Sequence, residues 1–531
     1  MNFIAAKYGQ HLNIKAKGAV QLIPNNWDDY SYKTQFAIYY IRESGELFSL
    51  GDIKVGHKGQ GTGWTRDAMD ASFKQLPDEW FSIGLDVDYY VKVLALTKDE
   101  KNEIMEGLRD VAFSEEALAI AESEEVYITS LMRGVSEQVV RTQYRRVLNG
   151  GSVLTDYSFS YVDDGDQKRS PVKLSFKVEA DSKPPSNIHV LIGRNGIGKT
   201  TVLNGMVAAL HPDYASERTG EFRTGKSIFG AVPLGDDVFS GLVSVSFSVF
   251  DPFIPPPDKR EPSSGPKYAY LGMKSRRESA PDTKDSPNSE GDNEVLKTER
   301  QLIGEFAKAL RSCMSQTAKR VRWLKAIERL ESDGNFAAMR LQQLAEAFER
   351  KEESKAISVA KRRFKKMSSG HKIVLLTITA LVYLVEERTL LLLDEPESHL
   401  HPPLLAAFTR ALSEILQDRN GVAIVATHSP VMVQEVPRLC VWKISRSGLH
   451  WRKDRPTRET FAENVGILTT EVFGLEVSKS GFHALFQEEV NRGLSFDEAV
   501  GAFEGKIGME GLSILASMIA SRDALQEGGP N

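Results

Sequence analysis

The sequence predicts an α/β fold around a parallel sheet, and three strand ends carry that prediction. NIHVLIG (187–193) is an apolar run that stops at the glycine-rich GRNGIGKTT (193–201), after which a helical pattern begins. TLLLLDEPE (389–397) is a strand of four leucines closed by Asp394 and Glu395. GVAIVATHS (421–429) is a third apolar run and ends at Thr427 and His428. Strands that are apolar throughout are buried on both faces, as in parallel sheets, and such sheets meet their ligands at the strands' carboxyl ends.

The bulk numbers fit an ordinary globular protein. A chain of 531 residues is too long for one core and should form two or three domains. With 41% hydrophobic and 26% charged residues and a net charge of −5, it is not built to coat nucleic acid, so any such contact needs a local patch. Two cysteines, Cys313 and Cys440, offer no disulfide framework. With no apolar run of membrane-spanning length and no signal-like start, the expected location is the cytoplasm.

Three regions follow. Residues 1–150 form a smaller α+β domain, with strands at QFAIYYI (35–41) and GELFSLGDIKVG (45–56) and a helical pattern over 124–148. Its glycine cluster GHKGQGTGWT (56–65) misses the spacing of a dinucleotide loop and reads as a turn. Residues 151–453 form the main α/β unit. It starts with two antiparallel strands, SVLTDYSFSYV and VKLSFKVEA, and includes GLVSVSFSVFD (241–251). Residues 254–294 are so poor in apolar side chains that they read as a flexible insert, in which only YAYLGMK would dock. A charged helical arm follows at 295–366, and a hairpin (LCVWKIS, GLHWRK) closes the unit. Residues 454–531 read as a helical tail suited to docking a partner.

The chemistry lies at the strand ends. Gly193, Arg194, Asn195, Gly196, Ile197, Gly198, Lys199, Thr200 and Thr201 match a phosphate loop, whose bare N–H groups and lysine cradle the phosphates of ATP. Thr200 and Asp394 are the expected Mg²⁺ ligands, Glu395 the residue that polarises the attacking water, and His428 a contact to the γ-phosphate. A second anion-ready helix start stands far downstream in KKMSSGHKIVLL, where Ser368, Ser369 and Gly370 precede an apolar helix.

In order and spacing these motifs resemble the ABC-type P-loop ATPase heads of the soluble SMC-like and OLD-like branch. The carriers are GRNGIGKTT, SSGHK (368–372), LLLLDEPE, SHLHP (398–402) and ATHSP (426–430). The resemblance implies a homodimer of heads, or a higher oligomer, in which Ser368, Ser369 and Gly370 cap ATP held by the partner's loop. Ser369 and His371 depart from the commonest signature, and no glutamine stands in SVSFSVFDPF for a Q-loop. His399 and His401 form an H-x-H that could suggest a metal but reads better as the D-loop region. No Asp-x-Asp follows residue 430, which argues against a Toprim nuclease, and no sustained heptads follow the phosphate loop.

The layout further resembles the PtuA family of Septu and retron-linked antiphage systems. That resemblance implies an ATP-hydrolysing regulatory subunit with an HNH nuclease partner (PtuB-like), a reverse transcriptase carrying msDNA, nucleic acid in the complex and no membrane. The rival reading is an SMC-like head in DNA repair or recombination. Two basic clusters are candidate nucleic-acid contacts: Lys319, Arg320, Arg322 and Lys325, and Arg362, Arg363, Lys365 and Lys366. A solvated helix face is the plain alternative for both.

Overall fold

The computed structural model describes residues 1–166, 170–211, 220–227, 230–235, 238–248, 255–256, 258, 265–276, 294–350, 352–447, 450–474 and 481–527. Its centre is a seven-stranded sheet. Numbered in chain order, the strands are β1 (Ile188–Ile192), β2 (Gly241–Ser246), β3 (Lys267–Gly272), β4 (Thr389–Asp394), β5 (Val422–Thr427), β6 (Val441–Ser447) and β7 (His450–Asp454). The spatial order is β3-β2-β4-β5-β1-β6-β7, with every pair parallel except the terminal β6–β7 hairpin.

The two-residue period of the strands divides their side chains between two cores. Leu391 and Leu393 join Val243, Val245, Ala423 and Val425 beneath the arm helices and the helix Ser369–Leu384. Leu390 and Leu392 join Val422 and Ile424 beneath the helix Lys199–Leu210 and an antiparallel sheet built on Tyr157–Asp163 and Val172–Val178. Each buried leucine contributes about 1.5–3 kcal/mol. In β1, β2, β4 and β5 the one carboxylate, Asp394, accordingly stands at a strand end, and burial lowers the pKa of His189 within β1 to about 3.

Within 254–294 the island expected to dock, YAYLGMK, does so, and it docks as a strand of the central sheet. Lys267–Gly272 is the edge strand β3, paired in register from Gly241↔Lys267 to Ser246↔Gly272. Tyr268 and Leu271 are the apolar residues that hold it, one in each core. Residues 277–293 lie outside the described residues. The arm forms five helices, from Glu299–Met314 to Glu353–Lys366.

Residues 1–84 form a six-stranded sheet with its own core, covered by helices from Val87–Leu94 to Arg145–Leu148. Its long hairpin pairs Gln35–Ile41 with Leu47–His57, as the sequence pattern suggests, and the 56–65 glycine cluster turns at Lys58–Gly59 between the end of that strand and the short strand Gly63–Trp64. This unit meets the central sheet at the strands' amino ends. Arg146 pairs with Glu387 (2.5 Å) just before β4, and Lys267 at the start of β3 donates to the Val135 carbonyl (2.9 Å).

Two candidate nucleic-acid residues are buried in this junction, which corrects the reading of the first basic cluster. Arg322 donates to Asp86 Oδ2 at 2.8 Å, and Arg419 donates to the same oxygen at 2.5 Å. Lys319 is 4% exposed, lies over the Tyr383 ring, and is pushed down to about 8 by burial. Neither can reach a phosphate backbone. Arg320 is half-buried and pairs with Glu349, whereas Lys325 is exposed. Lys319 and Arg322 point inward because the amino-terminal half of the helix Thr317–Leu330 packs on the N-terminal unit.

Beyond β7 the chain first runs back along the head, where the Thr460 hydroxyl donates to the Val436 carbonyl and Leu468 enters the main core. Residues 482–527 then form three helices around a small core of Phe486, Val490, Ala499, Leu515 and Ile519. No helix among the described residues is long and apolar enough to cross a membrane.

Two consequences are measurable. Asp86→Ala leaves two buried guanidinium groups without their carboxylate and should cost about 3–5 kcal/mol in urea unfolding. Asp110 is fully buried beside the Tyr90 hydroxyl (3.2 Å), and burial pushes its carboxyl up to about 7. The native state thus keeps a proton that the unfolded chain releases near pH 4, so stability falls as pH rises from about 4 to about 7. Melting temperatures of Asp110→Asn should lack that slope.

Candidate nucleotide site

β1 ends at Ile192 and delivers the chain into the phosphate loop. Gly193 is required by packing: a Cβ there would stand 2.2 Å from the Ile444 carbonyl oxygen. Gly196 and Gly198 are required by conformation, with φ of +77° and +98°, and nothing crowds the side where a Cβ would project. Ile197 anchors the loop in the core, whereas Arg194, Asn195, Gly196 and Thr201 are exposed. The Lys199 ammonium folds back to the carbonyls of Gly193 and Arg194, at 2.9 Å each. Burial lowers its pKa, against the opposing pull of Glu395, Asp394 and Glu397.

The Thr200 hydroxyl donates to Asp394 Oδ2 at 2.9 Å, bringing two residues 194 positions apart into one oxygen pair. Hard oxygen donors in this arrangement suit Mg²⁺. An open loop of backbone N–H groups beside a lysine suits a polyphosphate. The next residue, Glu395, has φ +44°, a conformation that non-glycine residues enter at a cost of about 1–3 kcal/mol. Its N–H donates to the Ala426 carbonyl at 2.9 Å, which locks the end of β4 to the end of β5. Held this way, Glu395 comes within 3.7 Å of His428 Nδ1.

Glu397 is a residue that sequence reasoning missed. Its side chain is 7% exposed, and Oε1 accepts from the Thr427 hydroxyl (2.5 Å) and the His428 N–H (2.7 Å). The same oxygen lies 3.2 Å from His428 Nδ1. Glu397 therefore fixes the turn after β5 that carries the histidine. The signal was present as the second acid of DEPE, but the register that brings it beneath His428 is tertiary.

The second helix start is built as the sequence suggests. Ser368 caps Ser369–Leu384, and both serines are exposed. Gly370 is dictated by close approach, since a Cβ would meet the His399 carbonyl oxygen at 2.3 Å. The hydrogen bonds of Ser368 run to His371 and not to the chain's own phosphate loop. Nearby, Arg362, Lys365 and Lys366 are exposed, while Arg363 is tied to the Arg340 carbonyl and Gln343 at 2.8 and 2.9 Å. The second half of SVSFSVFDPF, the stretch that lacks a Q-loop glutamine, lies outside the described residues from Val249.

Comparison with known proteins finds a matched family and several similar chains. The family described as "AAA domain, putative AbiEii toxin, Type IV TA system" matches residues 273–433. Protein ea59 of Escherichia phage lambda is 41% identical over 538 residues, spanning 98% of this chain and 99% of that protein. Among solved structures, an ATP-binding cassette of an ABC transporter in its ADP conformation is 12% identical, with 62% of this chain and 100% of that one covered and a TM-score of 0.31. A nucleotide-free cassette from an ABC transporter is also 12% identical, covering 52% and 84%, with a TM-score of 0.27. The motifs and their placement at the strand ends give the central unit the arrangement of a P-loop nucleotide-binding head, and the matched family describes residues 273–433 as an AAA domain.

The role of Glu397 can be measured. Glu397→Ala orphans the His428 N–H and should cost about 1–3 kcal/mol of stability together with a fall in ATP turnover. Glu397→Gln keeps an acceptor there and should retain most of the stability in the same thermal melts.

Proposed function

The chain belongs to the family of phage lambda protein ea59, and from that footing we propose that it is the ATP-binding and hydrolysing regulatory subunit of an antiphage defence complex. The observation that carries the ATPase part is the Thr200–Asp394 pair set beside Lys199 and Glu395. In this reading Gly193 to Thr201 bind the phosphates, and Glu395 orients and polarises the attacking water. His428, fixed by Glu397, meets the γ-phosphate. Mg²⁺ held by Thr200 and Asp394 would neutralise charge on the phosphate oxygens. Ser368, Ser369 and Gly370, at a helix start whose cap does not bond its own loop, serve the nucleotide of a second copy in a homodimer of heads.

The antiphage role rests on the resemblance to PtuA-type ATPases. An HNH nuclease partner would do the cutting, with a reverse transcriptase and its msDNA as a further component. A phage-borne relative suits this role, because a resident phage gains by excluding competitors. The surface helices of 482–527 would hold the partner, and opening or closing the shared sites would reposition it. Arg362, Lys365 and Lys366 remain as proposed nucleic-acid contacts, close to the signature they would influence.

Glu395→Gln should bind ATP but hydrolyse it about 10²–10⁴-fold more slowly, whereas Lys199→Ala should lose ATP affinity. Wild-type turnover in purified Glu395→Gln protein would refute the site assignment. Cells carrying the gene with its neighbours should resist some phages, and Lys199→Ala should abolish that resistance. Robust DNA cleavage by the lone chain with Mg²⁺ would refute the division of labour.

A further inference from the structure

His371, where the commonest signature has glutamine, is not a passive replacement. It is 8% exposed, with its Nδ1 2.6 Å from Ser368 Oγ and its Nε2 3.1 Å from Asp333 Oδ1. Asp333 belongs to the arm, where it caps the helix Gly334–Ala338 by accepting from Asn335 N (2.9 Å) and Phe336 N (3.1 Å). Its other oxygen lies 3.2 Å from Nε2 of His401, the residue that caps Pro402–Gln417. Burial alone would raise the Asp333 carboxyl, but the bonds from His371, Phe336 and Asn335 outweigh it and hold the group below the usual carboxylate range.

These side chains have the donor types of a metal site, and their ligand atoms lie within 4.8 Å of one another. The proton positions argue otherwise. His401 Nδ1 already accepts the Leu404 N–H at 3.3 Å, which places the neutral ring's proton on Nε2, the atom a metal would need. A carboxylate can only accept, so Nε2 of His371 likewise carries a proton and Nδ1 is left to accept from the serine hydroxyl. The result is a chain of hydrogen bonds from arm to signature: Asp333, His371, Ser368.

We propose that Asp333, acting through His371, positions the Ser368 hydroxyl that the head presents to its partner's nucleotide, so that the arm sets the competence of the shared site. An exposed serine otherwise samples three χ1 wells, and the bond to a fixed imidazole selects one of them. His371 and Asp333 are positioning residues in this scheme. The inference rests on the ATPase reading given above, and the variants separate the two.

Asp333→Ser keeps a helix-capping side chain but is too short to reach either imidazole. It should lower kcat about tenfold with KM for ATP nearly unchanged, the expected result of misplacing a group. His371→Ala, which leaves the Asp333 cap intact, should match it, and His371→Gln should restore most of the rate. The defect must also act in trans. Mixed with Lys199→Ala protein, Asp333→Ser chains should turn over at the wild-type rate per live site, because the facing signature is intact. Wild-type chains mixed with excess Asp333→Ser/Lys199→Ala protein should be slow, because the facing signature is the damaged one. Wild-type kcat in both Asp333→Ser and His371→Ala, or equal loss in the two mixtures, would overturn the proposal. Wild-type hydrolysis by Lys199→Ala would instead overturn the ATPase reading beneath it.

Discussion

A parallel sheet covered on both faces has no room for charge except at its two ends, and the architecture of this protein follows from that constraint. Leu390 to Leu393 are each at most 1% exposed, and the next residue in the strand is Asp394. The carboxyl ends of β1, β4 and β5 place the phosphate loop, two acids and a histidine side by side. The amino ends take the other polar load, a buried set of ion pairs against the N-terminal unit. The hydrophobic effect thus sorts the chemistry before any particular hydrogen bond does.

What was legible in the sequence was what is contiguous. Gly193 to Thr201 could be read because the loop, its strand and its helix occupy one stretch, and the strand endings at Asp394 and His428 stood out against uniformly apolar runs. The central strands, apart from β3, and the closing hairpin followed from the same contrast. What escaped was anything settled by distant packing. Glu397 acquires its place only when β4 and β5 pair, and Asp333 meets His371 across 38 positions of chain. Charge on a helix face was equally ambiguous, for Lys319 and Arg322 resemble a basic patch until the N-terminal unit covers them.

The segment 254–294 shows the same limit from the other side. Its composition is poor in apolar residues, yet two of them, Tyr268 and Leu271, suffice to seat an edge strand on β2. Averaged composition hides a short six-residue strand. An edge strand is also where such dilution is tolerable, because it has only one neighbour to satisfy.

The helix Thr317–Leu330 links the two ends of the sheet's polar load. Its first N–H donates to Asp52 (2.7 Å) and its second turn is clamped by Asp86, both from the N-terminal unit. Three residues beyond its far end comes Asp333, which touches the signature. Fourteen residues of helix span roughly 21 Å without a joint. The N-terminal unit is consequently not an interchangeable module. A graft from a relative would have to bring its own equivalents of Asp52 and Asp86, or the helix that leads to Asp333 would lose those two anchors.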